Sequence, residues 1–349
     1  MLQQFSLISA TLALSNPLQA ALKSRGKRMG IVIFSYAHRR RNPSEQTKYP
    51  AFADALETLD HIHTYNGGGL QTSVAGWDRA FAIKVRRRCE ELGLFFEGQT
   101  KLPADKADLD RFEDEIRAGK AAGAKVFRIA VGGRRYEDFD TADGFKAMKD
   151  GARKSLRWAE PIARKHRIQI AIENHKDWRI PDMLELVEGI SSEYVGVCLD
   201  TGNSISLLEH PMETAEAFAK YTFSTHIKDM AVAPYEEGFL LSEVPVGMGF
   251  LDMKRIFDIC EKANPNIQFN LEMITRNALE VPCLTDKYWA TFDEIRGYRL
   301  AKALAMVREN ASNQLTSIEG KEGDALYRYE EANIIDSVEY GERRLGLKG

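Results

Sequence analysis

The sequence predicts a closed (β/α)8 barrel with an extended loop after its seventh strand and extra segments at both ends. Three observations carry that prediction. Short β-rich runs alternate with helix-length amphipathic stretches eight times between residues 28 and 311, a series that right-handed crossovers close into a barrel. No glycine-rich turn of the dinucleotide-binding kind follows the first strand. Four later strands each end in a carboxylate or imidazole on the same face.

RMGIVIFSYA (28–37) reads as the first strand and AFADALETLDHIHTY (51–65) as the helix after it. GLQTSVA (69–75) is a weaker strand, and RAFAIKVRRRCEELG (79–93) is a helix stopped by a glycine, where a C-cap is expected. LFFEGQ (94–99), DLDRFEDEIRAGKAAG (108–123) and KVFRIAVGG (125–133) repeat strand, glycine-terminated helix and strand. FKAMKDGARKSLRWAEPIARKHR (145–167) is a long helical pattern with a bend expected at Pro161.

The second half follows the same grammar. IQIAIENH (168–175), YVGVCLDTGN (194–203), TFSTHIKD (222–229) and IQFNLEMI (267–274) are strands. PDMLELVEGI (181–190), METAEAFAKY (212–221), MKRIFDICEKA (253–263) and YRLAKALAMVRENA (298–311) are helices. DMAVAPYEEGFLLSEVPVGMGF (229–250) is an inserted loop, the place where barrel enzymes elaborate specificity. Residues 312–349 form a charged tail, with a helix expected over 330–345 on the barrel or on a neighbouring subunit.

Bulk properties narrow the function classes. A net charge of −3 with 28% charged residues describes an ordinary soluble chain and gives no basic face for nucleic acid. Cys89, Cys198, Cys260 and Cys283 form no CxxC pair, which points to a reduced, cytoplasmic compartment. Residues 1–27 are an extension whose stretch FSLISATLAL (5–14) resembles a degenerate signal segment; export is the alternative it raises. Ten residues are too few to span a bilayer, so no membrane association is expected. Homo-oligomerisation stays open.

Side chains alternate faces along a strand, so parity tests the strand tips. In IQIAIE the isoleucines share one face, and Gln169, Ala171 and Glu173 share the other. The same split puts Asp200 with Gly196 and Cys198, His226 with Thr222 and Ser224, and Glu272 with Gln268 and Asn270. Each greasy face suits the outer helices, and each polar row suits the interior and ends at the C-terminal rim, where barrel active sites are built. Three converging carboxylates without a cation would repel one another into partial protonation. Glu173, Asp200, His226 and Glu272 are therefore expected to hold one divalent cation. The oxygen-rich set favours Mn2+, with Mg2+, Co2+, Fe2+ or Zn2+ as alternatives.

IAIENH, GVCLDTGN, THIKDM and NLEM, with FRIAVGG before them and VGMGFLD in the insertion, resemble the xylose isomerase-like superfamily over about residues 28–311. The resemblance is to its sugar phosphate isomerase/epimerase group in particular. It implies a small-molecule carbohydrate substrate and isomerisation or epimerisation through a cis-enediolate. Glu173 and Glu272 would then exchange the proton, while Asp200 and His226 hold the ion. The chain also departs from the ketose 3-epimerases. It has Asn203 where they carry a histidine, and Arg179 where they carry a second glutamate. A dehydratase or lyase acting on a keto-sugar or cyclitol is the alternative, and an inactive carbohydrate-binding barrel lies further off. An endonuclease IV-like repair enzyme needs more histidines than these strand tips offer.

Further substrate contacts are expected from Arg128, His175, Lys176, Asn203, Lys228, Glu243 and Arg276. Arg128 serves equally as a salt-bridge partner of a metal-site carboxylate, whereas for Glu243, in the inserted loop, a solvated acid is the safer reading. Trp178 is placed at the mouth, and His38 is a weaker candidate contact.

Overall fold

The computed structural model describes residues 27–44, 46–292 and 297–348. The signal-like stretch of the N-terminus lies outside the described residues.

Eight parallel strands close the barrel. They are β1 (Gly30–Val32), β2 (Gly69–Ser73), β3 (Phe95–Gln99), β4 (Val126–Ile129), β5 (Gln169–Glu173), β6 (Val195–Asp200), β7 (Thr222–Ile227) and β10 (Asn270–Leu271). The order around the barrel is β1, β10, β7, β6, β5, β4, β3, β2, so β10 closes the ring against β1. Outward rows such as Ile170 and Ile172, or Val195, Val197 and Leu199, are buried beneath the helices. Each such side chain stabilises the fold by about 1.5–3 kcal/mol relative to exposure.

The helices follow their local signals. Arg79–Leu92 begins on Asp78, whose carboxylate accepts from Phe81 N, and ends at Gly93 with φ 64°. Ala142–His166 runs through Pro161 as one 25-residue helix. The first strand is shorter than its sequence suggests. After Val32 the chain enters a 3-10 turn, Ile33–Tyr36, where Ser35 Oγ donates to Leu271 O and accepts from Met273 N.

The insertion is a sheet and not a loop, which corrects the expectation above. β8 (Asp229–Tyr235) and β9 (Gly238–Val244) form an antiparallel hairpin, and β11 (Leu279–Val281) adds a third strand along β9. Its apolar side, including Val232, Phe239, Leu241 and Val281, builds a second small core. The return from this sheet hangs on Asp229, whose carboxylate accepts from the backbone N–H groups of Met230, Gly247, Gly249 and Leu251. Gly249 lies so close that a Cβ there would strike the carboxylate.

The tail forms the helix Gly323–Arg344 and packs on its own barrel. Buried Glu330 accepts from His38 N and Arg39 N, Asn333 Nδ2 donates to Thr275 Oγ1, and Ser337 Oγ accepts from Val246 N. It thereby ties together the exits of β1 and β10 and the end of the insertion. No helix among the described residues is long and apolar enough to cross a membrane.

Candidate metal centre and active site

Parity along four strands delivers one cluster. Glu173 ends β5, Asp200 ends β6, His226 is the penultimate residue of β7, and Glu272 immediately follows β10. Asp200 lies beside His226 in register, as does Asn270, and Glu272 N continues the ladder by donating to Ile227 O. One potential ligand atom from each of the four lies within 4.8 Å of the others, and all four residues are buried. Ligands at about 2.0–2.2 Å from one ion are separated by about 4.4 Å at most, so only a small inward shift is needed.

Two observations indicate that these residues fit a cation. Asp200 Oδ2 and His226 Nδ1 are buried without a hydrogen-bond partner. Lys228 Nζ does stand 3.2 Å from Asp200 Oδ2, but as an ion-pair contact without hydrogen-bond geometry. Buried polar atoms rarely stay unpaired, and both of these point into the cluster. The second observation is the imidazole's orientation. His226 Nε2 donates to Gln71 Oε1 (2.7 Å), which turns Nδ1 into the centre, 3.2 Å from Glu272 Oε2 and 3.5 Å from Glu173 Oε1. Burial opposes its charge, but Cys198, Glu272 and Glu173 outweigh it and raise the imidazole above its ordinary range; a bound cation would take the place of the Nδ1 proton.

Gln71 is itself fixed. Its Nε2 donates to Glu97 Oε2 (2.9 Å) and Ser224 Oγ (3.1 Å), while Gln99 Nε2 donates to its Oε1 (2.9 Å). Glu97 also accepts from Ser224 and Asn270, and burial raises its carboxyl above the ordinary range. This interior amide network went unrecognised in the sequence. Its only signal was the polar alternation of GLQTS and FFEGQ.

Cations surround the ligands. Arg128 binds Glu173 Oε2 through Nε (2.6 Å) and a terminal nitrogen, the salt-bridge alternative expected for it. Burial pushes the Glu173 carboxyl up, but Arg128 and His226 outweigh it and hold the group well below the usual carboxylate range. At Glu272 burial is likewise outweighed, by His226 and Lys228. At Asp200 burial prevails and the carboxyl is raised. Lys228 Nζ sits 2.8 Å from Glu272 Oε2 and 3.2 Å from Glu243 Oε1; burial opposes its charge, but Asp200, Glu243 and Glu272 outweigh it and hold the ammonium above its ordinary range.

The GVCLDTGN turn orients Asp200. Its Oδ1 accepts from Gly202 N and Asn203 N, and a Cβ on Gly202 would collide with Met230 Sδ. Asn174 brackets the strand end by exchanging two hydrogen bonds with the Asp200 backbone. Asn203 Nδ2 donates to Glu173 Oε1 (3.2 Å), and its Oδ1 accepts from Lys176 Nζ (2.5 Å). Burial, together with Lys228 and Arg276, lowers the Lys176 ammonium to about 8.

The remaining candidates divide. Glu243 is enclosed and not solvated: its Oε1 accepts from Arg276 (2.6 Å) and its Oε2 from Ile274 N, locking the inserted sheet over the site. Arg276 is part-exposed at the rim. His175 stands half-buried with Nδ1 3.1 Å from Gly133 O, its pKa lowered to about 4 by burial and Lys176. Trp178 is not at the mouth; it is 1% exposed, and its indole N–H donates to Val131 O. His38 is held by Thr275 O, and its backbone N–H by Glu330. Asp177, overlooked in the sequence, is enclosed beside the site, where burial raises its carboxyl above the ordinary range. A cavity of about 1510 Å3 opens at the other end of the barrel around Glu97, Phe223 and Gln169 and does not touch the four candidate ligands.

Comparison with known proteins agrees with this architecture. The chain is 27% identical over 210 residues to 3-oxo-isoapionate decarboxylase of Pectobacterium atrosepticum, covering 59% of this chain and 72% of that protein. Among solved structures it resembles the apo form of 3-keto-D-glucoside 4-epimerase, YcjR, from E. coli. That match has a TM-score of 0.53 and 15% identity over 81% of this chain and 99% of that one. It also resembles the IOLI protein with a bound zinc atom, at a TM-score of 0.53 and 13% identity over 82% and 100% of the two chains. The two structural likenesses establish the fold, and the decarboxylase relative supports a sugar-modifying enzyme. The model of the xylose isomerase-like TIM barrel matches residues 30–291, and the chain belongs to that family.

Proposed function

We propose that this protein is a divalent-cation-dependent enzyme that acts on a keto-sugar derivative through a cis-enediolate. The single observation carrying this is the in-phase convergence of Glu173, Asp200, His226 and Glu272, with two of their buried atoms left without partners. A divalent cation held there supplies Lewis-acid polarisation of a substrate carbonyl and stabilises developing negative charge.

The residues then divide the work. Glu173 engages both oxygens within the protein, Oε1 with Asn203 and Oε2 with Arg128, which suits a ligand more than a mobile base. Glu272, beside the Lys228 ammonium, is the better-placed proton acceptor, and Lys228 is a donor within reach of the same space. Glu243 and Arg276 close the inserted sheet over them and limit water.

Isomerisation or epimerisation needs a proton removed and returned, and Glu272 with Glu173 across the cluster would serve it. A second reading is loss of a carboxyl or hydroxyl group from the substrate. It is favoured by the double engagement of Glu173, which leaves one free base, and is supported by the decarboxylase relative. Turnover of candidate keto-sugars by Mn2+-loaded protein in D2O, followed by NMR, separates the two. Deuterium entering a product with all its carbons retained indicates isomerase chemistry, whereas release of carbon dioxide or water indicates a lyase. Absence of a bound cation after incubation with Mn2+, Mg2+ or Co2+ would overturn both readings.

A further inference from the structure

The cations of this site are unequally matched. Arg128 faces Glu173, Arg276 faces Glu243, and Lys228 lies among Asp200, Glu243 and Glu272. Lys176 differs. It is 2% exposed, and its ammonium donates to the neutral side-chain carbonyl of Asn203. Among the described residues no carboxylate lies within ion-pair distance of it. The adjoining Asp177 turns its Oδ1 to Trp178 N and makes no ion pair with Lys176.

Charge balance gives this meaning. Four cationic side chains accompany four carboxylates, so the protein brings no net charge to the site. A divalent cation then leaves two positive charges in excess, with Lys176 and Lys228 enclosed and only Arg276 reaching the rim. An enclosed charge without a partner is costly, and an uncharged ketose would leave that cost in place.

Position narrows the ligand. Asn203 touches Lys176 with its oxygen and the ligand Glu173 with its nitrogen, so Lys176 stands one side chain away from the metal centre. A short substrate with its carbonyl at the centre would bring an oxyanion to Lys176. Part-exposed Arg276 and His175 mark the rim from which it enters.

We propose that the site is built for an anionic sugar derivative whose oxyanion, a carboxylate or a phosphate, is received by Lys176. This rests on the metal-dependent function proposed above and specifies its substrate class.

The test uses full-length protein loaded with Mn2+. Wild type, Lys176→Met and Lys176→Arg are titrated with hydroxypyruvate, dihydroxyacetone phosphate and uncharged dihydroxyacetone, and binding is read from water-proton relaxation by the bound Mn2+. An anionic probe is expected to bind wild type about tenfold or more tighter than dihydroxyacetone, the scale of one charge-assisted hydrogen bond. Lys176→Met should lose that preference while holding Mn2+ as before, and Lys176→Arg should keep it. Preference for hydroxypyruvate marks a sugar acid, and preference for dihydroxyacetone phosphate a sugar phosphate. Equal or absent binding of all three probes, or a preference unchanged in Lys176→Met, would overturn the proposal. Failure of wild type to hold Mn2+ is a separate result that removes the metal-dependent reading itself.

Discussion

The two sides of the barrel use the same alternation to different ends. On the β10-β7-β6-β5 side the inward rows finish at the C-terminal rim in Glu272, His226, Asp200 and Glu173, and two of their atoms are left without partners. On the β2-β3 side the inward residues Gln71, Glu97 and Gln99 sit within the strands and bond to one another. One side offers lone pairs to a ligand, and the other spends its polar groups fixing the first. Ser224 and Asn270 bond across to Gln71 and Glu97, and the bond from His226 to Gln71 is the one that reaches the cluster itself. A ligand set thus needs a partner wall that is already satisfied, because a mobile amide would let the imidazole turn.

Substitutions can break this division, and the largest effect belongs to the ligand side. His226→Ala should abolish stoichiometric cation binding, measured by elemental mass spectrometry, and lower turnover on the order of a thousandfold or more. Retention of a full equivalent of metal would show that His226 is not a ligand.

Arg128→Met strands the enclosed Glu173 carboxylate. Breaking such a pair costs about 3–5 kcal/mol, so the apo protein should unfold at markedly lower denaturant, and added Mn2+ should recover part of the loss. An unchanged midpoint would mean that the pair is not maintained in solution.

On the satisfied side, Gln71→Leu removes the acceptor of His226 Nε2 without touching any ligand. Cation affinity should fall about 10–100-fold with little change in fold, as for other outer-shell partners. Competition with a chelator reads this directly, and an affinity equal to wild type would separate the two sides after all.

The smallest effect sharpens the contrast with a carboxylate outside the cluster. Glu209 is raised to about 7 by burial, despite accepting from Ile180 N and facing Arg179 and Arg299. The folded chain therefore holds this proton more tightly than an ordinary glutamate at 4.5. Its stabilisation is complete below pH 4.5 and is lost as pH rises through 7. Glu209→Gln keeps an acceptor and removes the titration, so its stability should gain on wild type across that window. Denaturant titrations at several pH values would show a constant difference if Glu209 titrates normally.

Some of this was fixed by the sequence alone. The direction of a side chain along a strand follows from covalent geometry, so IQIAIE, VGVCLD, TFSTHI and NLE already set Glu173, Asp200, His226 and Glu272 in phase. The alternation of strands and helices likewise required no distant contact, and glycine ended the helix at residue 93 as expected. Other features arise only when the barrel closes. Gln71 and His226 are 155 positions apart, and nothing near either residue specifies the other. The length of β1 depends on Ser35 reaching β10. The insertion folds into a hairpin within itself, and β11, contributed from beyond β10, makes it a three-stranded sheet. The hairpin register sets Glu243 opposite Met230 and within reach of Lys228 and Arg276, which turns residues that resemble surface charges into the enclosed wall of a site. Side-chain phase is a local property of the chain, whereas burial and pairing belong to the closed structure.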